Sequence, residues 1–442
     1  MKFKISDYLY PVEIVKLFRF LKRSRDFSYE RIVEHQNEKL KSLIQHAYKH
    51  VPYYRDLFNK HGIKPGDIRT KEDLPAIPVL TKEIIRERYD DLIADNSEQF
   101  SPYQNQTSGS TGSPLKFLQD KNVSIARFTF FWRIWKMAGY QPYMRWAQVD
   151  GMFLGSEENL WKYNRMLNSL QISAFFLDHQ NCKRILDKLS ELKPKIIRGY
   201  PTAIYTLAQF IDHTSYEINF SLKSIITYSE NLLPEYRSII EKSFDCAVFN
   251  VFTQWEGVCL ISECELHQLH QHMEFSIMEL LDDNNQAVGD KEEGEITATS
   301  FYNYSMPFIR YKTGDLATWS NSSCRCGMKH KVVGNISGRK RDVLFDTNGY
   351  LVPFPNFQLN SIISYEKVDG LLQTQIVQNS PDKLEVYIIL KDSTIRNRVE
   401  QELAKLVKAR LGDDMKIEFT LTDRIPKERN GKTQLVKNKL IE

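Results

Sequence analysis

No stretch of this 442-residue chain approaches the ~18 to 20 apolar residues that a membrane-spanning helix requires. No secretory leader is expected either: the apolar residues of YLYPVEIVKLFRFLKRSR are interrupted by Glu13, Lys16 and Arg19. That segment reads as a basic amphipathic helix, docked on its own core or resting on a membrane surface. A cytoplasmic location is the expectation. An excess of one charge is missing too. Sixty basic residues stand against fifty-six acidic ones, a formal net charge of +4, so no nucleic-acid partner is expected. Cysteine is scarce, with six residues too scattered for a disulfide framework. Repeats and low-complexity stretches are absent. What remains is an ordinary globular composition, 42% hydrophobic, with enough length for more than one folding unit.

Along the chain the texture changes twice. Residues 1 to about 100 read as largely helical. Leu40, Leu43, Ile44 and Ala47 recur at helical spacing before the break at Pro52, and Thr81 offers an N-cap to the helix that follows it. Farther on, strand-like runs alternate with helical ones: IIRGYP before TAIYTLAQFI, SIITYS before LLPEYRSIIEKSF, then AVFNVF. That alternation predicts α/β architecture with a largely parallel sheet. HMEFSIMELLDD, GEITATSF and MPFIRYKTGDLATW follow as strands with turn signals. After Gly338 the pattern LEVYIILKD, TIRNRVEQELAKLVKARLG, KIEFTLTD predicts a compact α+β unit, with a boundary at Gly338–Asp342.

Three segments carry chemistry. Thr107-Ser108-Gly109-Ser110-Thr111-Gly112-Ser113-Pro114 packs five hydroxyls and two glycines into eight residues, a donor-rich loop suited to phosphate oxygens. It lacks the Gly-Lys-Ser/Thr ending of a Walker loop, and taken alone it is equally plain loop chemistry. In Arg310-Tyr311-Lys312-Thr313-Gly314-Asp315-Leu316 an Asp at a strand end can accept hydrogen bonds from two ribose hydroxyls, or simply close a turn. Arg424 to Lys432 forms a basic C-terminal loop. Its closing lysine suits a reaction that develops negative charge at phosphorus.

In this order these segments resemble the ANL superfamily of adenylate-forming enzymes, and the resemblance covers the whole chain. HAYKHVPYYRDLF, DLPAIPVLTKEIIR, RGYPTAI and FTQWEGVCLISEC are similar to the phenylacetate-CoA ligase and CapK-like branch, whose CapK-like members are associated with surface polysaccharide biosynthesis. The resemblance implies a large N-terminal α/β core with mixed sheets over residues 1–338 and a small mobile C-terminal α+β domain over 339–442. It implies a magnesium- and ATP-dependent ligase that activates a carboxylic acid as its acyl-AMP and passes the acyl group to a thiol such as CoA, or to an amine.

By the same resemblance, Thr107, Ser108, Gly109, Ser110, Thr111 and Gly112 would cradle phosphates. Phe252 would stack on adenine, Asp315 would hold the ribose, and Arg339 in Gly338-Arg339-Lys340-Arg341-Asp342 would contact ribose or phosphate at a hinge. Glu256 would bind Mg²⁺ and Lys432 would bridge the carboxylate and the α-phosphate. The chain departs from the superfamily at Trp255, which replaces a phosphate-binding threonine, and at Pro114-Leu115-Lys116, where Lys116 is displaced by one position. Tyr200, Tyr228 and Trp255 are candidate walls of the acid pocket, and aromatics there serve a core equally well. Cys264, Cys324 and Cys326 with His270 or His272 could supply a closed tetrahedral site for structural Zn²⁺, with buried thiols and solvated histidines as the alternative. Two rival functions share this sequence: a nucleotidyltransferase that leaves AMP on its substrate, and a non-catalytic acid-binding module of the same fold.

Overall fold

The computed structural model describes residues 11–107, 115–151, 159–174, 177, 179–230, 232, 234–338, 343–349, 351–353, 371–390, 392–422 and 436–440. Among the described residues, four α-helices precede the first strand: α1 (Pro11–Ser24), α2 (Tyr29–His50), α3 (Pro52–His61) and α4 (Lys82–Glu87). α2 starts where the Ser28 hydroxyl accepts the Arg31 N–H at 3.3 Å, and it buries Ile32, Leu40, Leu43, Ile44 and Ala47 along one face. It stops at Val51 because Pro52 opens α3, where a missing N–H costs nothing. Thr81 caps α4 through the Ile84 N–H at 3.4 Å, as the sequence indicates.

A two-stranded ribbon, β1 (Tyr103–Gln106) with β2 (Lys116–Gln119), leads into α5 (Lys121–Met137). The chain then runs β3 (Trp146–Asp150), β4 (Trp161–Asn164), β5 (Ser169–Ser173), α6 (His179–Leu192), β6 (Ile196–Gly199), α7 (Pro201–Thr214), β7 (Ser224–Tyr228), α8 (Pro234–Phe244) and β8 (Ala247–Thr253). Next come β9 (Leu260–Glu263), β10 (Leu269–Gln271), β11 (Ser276–Leu281), β12 (Glu293–Ser300), β13 (Tyr311–Trp319) and β14 (Val332–Gly338). In space the sheet reads β11-β12-β13-β14-β10-β9-β8-β7-β6-β3-β5-β4.

Within this sheet only β5, β3, β6, β7 and β8 pair in parallel. Every other pairing in this sheet is antiparallel. The largely parallel sheet expected from the alternation is therefore confined to one half. Past β8 no helix intervenes in this sheet's strands, and a chain that turns back without a long crossover can only pair antiparallel.

The parallel strands bury both faces, as such strands must. Ala147, Val149, Leu170, Ile172, Ile197, Ile225 and Val248 pack against α6, α7 and α8. Trp146, Ile196, Ile226, Phe249 and Val251, at alternate positions, pack with Phe130 and Ile134 of α5 and Leu21 of α1. Gly199 has no substitute here, since a Cβ would lie 2.0 Å from the Val149 carbonyl oxygen.

The chain divides into two compact units, 1–105 with 117–338 and 106–116 with 339–442. In the second, a four-stranded sheet has the order β19-β18-β17-β20: β17 (Leu371–Ser380), β18 (Lys383–Leu390), β19 (Lys416–Leu421) and β20 (Val436–Asn438). A hairpin of β15 (Val343–Phe345) and β16 (Leu351–Pro353) and the helix α9 (Arg396–Leu411) complete it. Val399, Leu403, Val407 and Leu411 of α9 recur every fourth residue and bury against Leu384, Val386 and Ile388 of β18.

Candidate functional site

The turn from β8 to β9 is held by side chains remote in sequence. Arg127 of α5 donates to the carbonyls of Gln254, at 3.2 Å, and Trp255, and Gln119 Nε2 donates to the Glu256 carbonyl at 3.1 Å. Gly257 takes φ +69°, and a Cβ there would meet Val123 at 2.8 Å, so glycine is required. The Glu256 side chain is 6% exposed and its Oε1 accepts the Tyr311 hydroxyl at 2.8 Å. Its Oε2 takes no hydrogen bond from the described residues, leaving a hard oxygen donor free. One buried carboxylate with a free oxygen fits a Mg²⁺ ion that takes its other ligands from phosphates and water.

Tyr311 opens β13, and Asp315 lies four residues farther along that strand. Gly314 at φ +84° puts a kink in it, fixed by Thr313 Oγ1 on the Ile296 carbonyl at 2.9 Å and by the Gly314 N–H on Glu295 at 2.9 Å. The Asp315 carboxylate is close enough to Cys259, just past the Glu256 turn, to add to burial in raising that thiol to about 12. The ribose candidate and the metal candidate thus share one neighbourhood. Phe252 is half-buried on β8, paired with Ile261.

Thr107 exchanges two hydrogen bonds with Leu115, its N–H to the carbonyl at 2.9 Å and its hydroxyl from the N–H at 3.0 Å. They close the base of the phosphate-loop candidate. Ser108, Gly109, Ser110, Thr111 and Gly112 lie outside the described residues, as do Arg339 and Lys432.

Tyr200 and Tyr228 meet edge to face at 6.1 Å. Trp255 makes its contacts elsewhere. It is 39% exposed, donates its indole N–H to Asn105 at 2.6 Å and lies under the Arg127 guanidinium at 5.1 Å.

The cysteine–histidine group assembles in full. Ligand atoms of Cys264, His270, Cys324 and Cys326 all lie within 4.8 Å of one another. Cys264 Sγ is 3.6 Å from Cys324 Sγ, and Cys326 Sγ is 3.6 Å from His270 Nε2. A disulfide would need ~2.0 Å. Tetrahedral zinc with bonds of ~2.3 Å to sulfur and ~2.0 Å to nitrogen sets edges of about 3.8 and 3.5 Å. Backbone N–H groups of Leu266 and Cys326 point at Cys264 Sγ and Cys324 Sγ, at 3.4 and 3.5 Å. His270 Nδ1 lies 3.2 Å from the His330 carbonyl, which fixes the tautomer with Nε2 free for a metal. The donor set fits a closed structural site.

His272, the alternative fourth ligand, belongs to a different group. Its Nδ1 meets Arg133 and its Nε2 the Ser262 hydroxyl at 2.7 Å. Arg133 also holds the fully buried Glu274, at 2.7 and 3.1 Å, and Ser24 donates to the same carboxylate at 2.6 Å. Burial alone would raise Glu274, but the Arg133 charge keeps it well below the ordinary carboxylate range. Burial first, then Arg133, drives His272 well below its usual value, so it stays neutral. Sequence reasoning missed Arg127, Gln119, Tyr311 and Arg133 as supports of the site. The available signal was polar residues inside helix and strand patterns that otherwise bury, as with Arg127 and Arg133 in VSIARFTFFWRIW.

Residues 356–439 match the family described as the CapK C-terminal domain. "Protein CapK" of Staphylococcus aureus is 27% identical across 92% of this chain and 90% of its own. A phenylacetate-coenzyme A ligase of Thermus thermophilus is 23% identical across 92% and 96%. Among solved structures, 2-hydroxyisobutyryl-CoA ligase with 2-HIB-AMP and CoA in the thioesterification state superposes with a TM-score of 0.65 at 19% identity, covering 95% of this chain and 92% of that one. An open conformation of that ligase gives 0.59, covering 92% of each chain. The fold is that of the adenylate-forming ligases. Along most of its length the chain is similar to CapK and to the phenylacetate-CoA ligases.

Proposed function

We propose that the chain is an AMP-forming ligase that activates a carboxylic acid as its acyl-AMP and hands the acyl group to the thiol of CoA. The observation that carries this reading is the Tyr311–Glu256 hydrogen bond at 2.8 Å. It ties the strand bearing Asp315 to the turn bearing the buried carboxylate. On this reading Asp315 accepts the ribose hydroxyls, Phe252 lies against adenine, and the loop based on Thr107 and Leu115 surrounds the β- and γ-phosphates. Glu256 would hold Mg²⁺ through Oε2, and the ion supplies charge neutralisation at the phosphates. The substrate carboxylate attacks the α-phosphorus and pyrophosphate leaves. Lys432 would stabilise the charge that builds on the carboxylate and α-phosphate oxygens, with positioning and electrostatics supplying the rate. Arg339 would contact the ribose or the phosphate.

The Cys264, His270, Cys324, Cys326 group is a structural Zn²⁺ site in this proposal, because all its donors point inward and none leaves a position open for substrate. An amine acceptor in place of CoA belongs to the same proposal, with the same first half-reaction.

The test is pyrophosphate release from ATP across aryl, aliphatic, amino and sugar acids, with and without CoA. Release of pyrophosphate that depends on an acid, with AMP freed when CoA is supplied, is the expected result. Lys432→Ala should lower acyl-AMP formation by several orders of magnitude while acyl transfer from preformed acyl-AMP survives. Equal loss of both steps would sink the account. A stable AMP adduct on a substrate hydroxyl or phosphate, with pyrophosphate released but no free AMP even when CoA is present, would mark a nucleotidyltransferase instead.

A further inference from the structure

The polarity of the parallel strands changes abruptly along one face. At the N-terminal ends of β3 and β6, Trp146 and Ile196 stand in register and are nearly sealed, at 6% and 2% exposure. Two residues on, the same face carries Gln148 and Arg198, again in register. One further step brings Asp150 at the end of β3, Tyr200 just past β6, and Tyr228 at the end of β7. Tyr228 is in register with Val251, the neighbour of Phe252. This row therefore lies at the C-terminal edge of the parallel strands, where open α/β sheets bind ligands.

The row is a connected polar network. Tyr228 Oη donates to Asp150 Oδ2 at 3.1 Å, and Gln148 Nε2 donates to the same oxygen. Arg198 donates to Gln148 Oε1 and lies over the rings of Trp135 and Trp146, 4.4 and 4.0 Å from their centroids. Asp150 Oδ1 takes no hydrogen bond among the described residues. A half-buried carboxylate is thus held rigidly by one oxygen while the other is presented as a bare acceptor. Such a network is costly to keep at a sheet edge that needs only apolar contacts. A pocket for a plain aryl or alkyl acid would gain nothing from it.

We infer that Asp150 selects the acid substrate, and that the substrate is a carboxylic acid whose carbon chain carries a hydrogen-bond donor, hydroxyl or ammonium, directed at Asp150 Oδ1. The inference rests on the ligase reading above and narrows its substrate class. Tyr228 and Gln148 act as positioning residues that fix the carboxylate. A fully sealed site that hydrogen-bonds a substrate group rejects the analogue lacking it by about 10⁴-fold. Asp150 is only half-buried, so a discrimination of at least ~100-fold is expected.

The experiment is calorimetric titration of the full chain with matched acids: a hydroxy acid, the corresponding amino acid, and the unsubstituted acid of the same carbon skeleton. ATP–pyrophosphate exchange is run on the same samples. Donor-bearing acids should bind at least ~100-fold more tightly, and Asp150→Ala should abolish that preference. Asp150→Asn, nearly isosteric, should keep hydroxy-acid binding and weaken amino-acid binding, which separates the two donors and controls for folding. Equal binding of substituted and unsubstituted acids, a preference that survives Asp150→Ala, or no acid bound across the panel would each overturn the inference. Selective binding without any pyrophosphate exchange would leave the inference standing and remove the ligase reading.

Discussion

The two halves of the large sheet are stabilised by different physics. In the parallel half, apolar side chains cover both faces and the polar groups gather at one edge. In the antiparallel half, charge is buried inside. Arg133 holds Glu274, Arg310 makes paired bonds of 2.9 and 3.0 Å to Glu279, and the cysteine–histidine group ties the turn after β9 to the loop before β14. The parallel half can therefore alter its edge residues without losing its core. The antiparallel half depends on every member of its polar groups being present, because a half-satisfied buried network is worse than none.

The strongest way to break that contrast is at the proposed zinc site. Structural zinc contributes on the order of 10 kcal/mol to the folding of small zinc domains, so Cys324→Ser combined with Cys326→Ser should cost more than about 5 kcal/mol. Denaturant unfolding with and without a strong chelator measures it, alongside metal analysis of the purified chain. Well under one equivalent of zinc, with no change on chelation, would remove the metal from the account. Next is Arg133→Ala, which strands the Glu274 carboxylate at 0% exposure and should cost about 3–5 kcal/mol. Replacing both partners, Arg133→Met with Glu274→Leu, should recover most of that loss in the same unfolding experiment. Failure to recover would mean that the pair does more than satisfy itself. The mildest test lies in the parallel half. Ile225→Val removes one methylene from a core residue at 0% exposure and should cost about 0.5–1.5 kcal/mol, with pyrophosphate release unchanged. A larger loss would show that this half tolerates change no better than the other.

Much of this organisation was legible beforehand. Leu40, Leu43, Ile44 and Ala47 announce α2 by spacing alone, and IIRG, SIITY and AVFNVFT announce β6, β7 and β8 by their β-branched runs. The mixed sheet implied by the family resemblance is present, but strand periodicity by itself carries no sign for the antiparallel half. Only the connection decides whether neighbours run together or opposed. The choice between His270 and His272 was open for a similar reason. They are two residues apart on the same strand side, and what separates them is the partner each meets, Cys326 for one and Arg133 for the other. Trp255 joined the tyrosines as a pocket candidate on residue type, and its contacts turned out to be with Asn105 and Arg127.

The sequence by itself determined the ordered motifs, the elements that carry them and the family they resemble, because local spacing and residue type encode each one within a few residues. Tertiary structure alone decided that Tyr311 would reach Glu256 across 55 positions, that Cys264 would meet Cys324 across 60, and that Asp150 would stand beside Tyr228 with one oxygen bare. Those pairings depend on strand order and register, which arise when distant segments bury their apolar faces together.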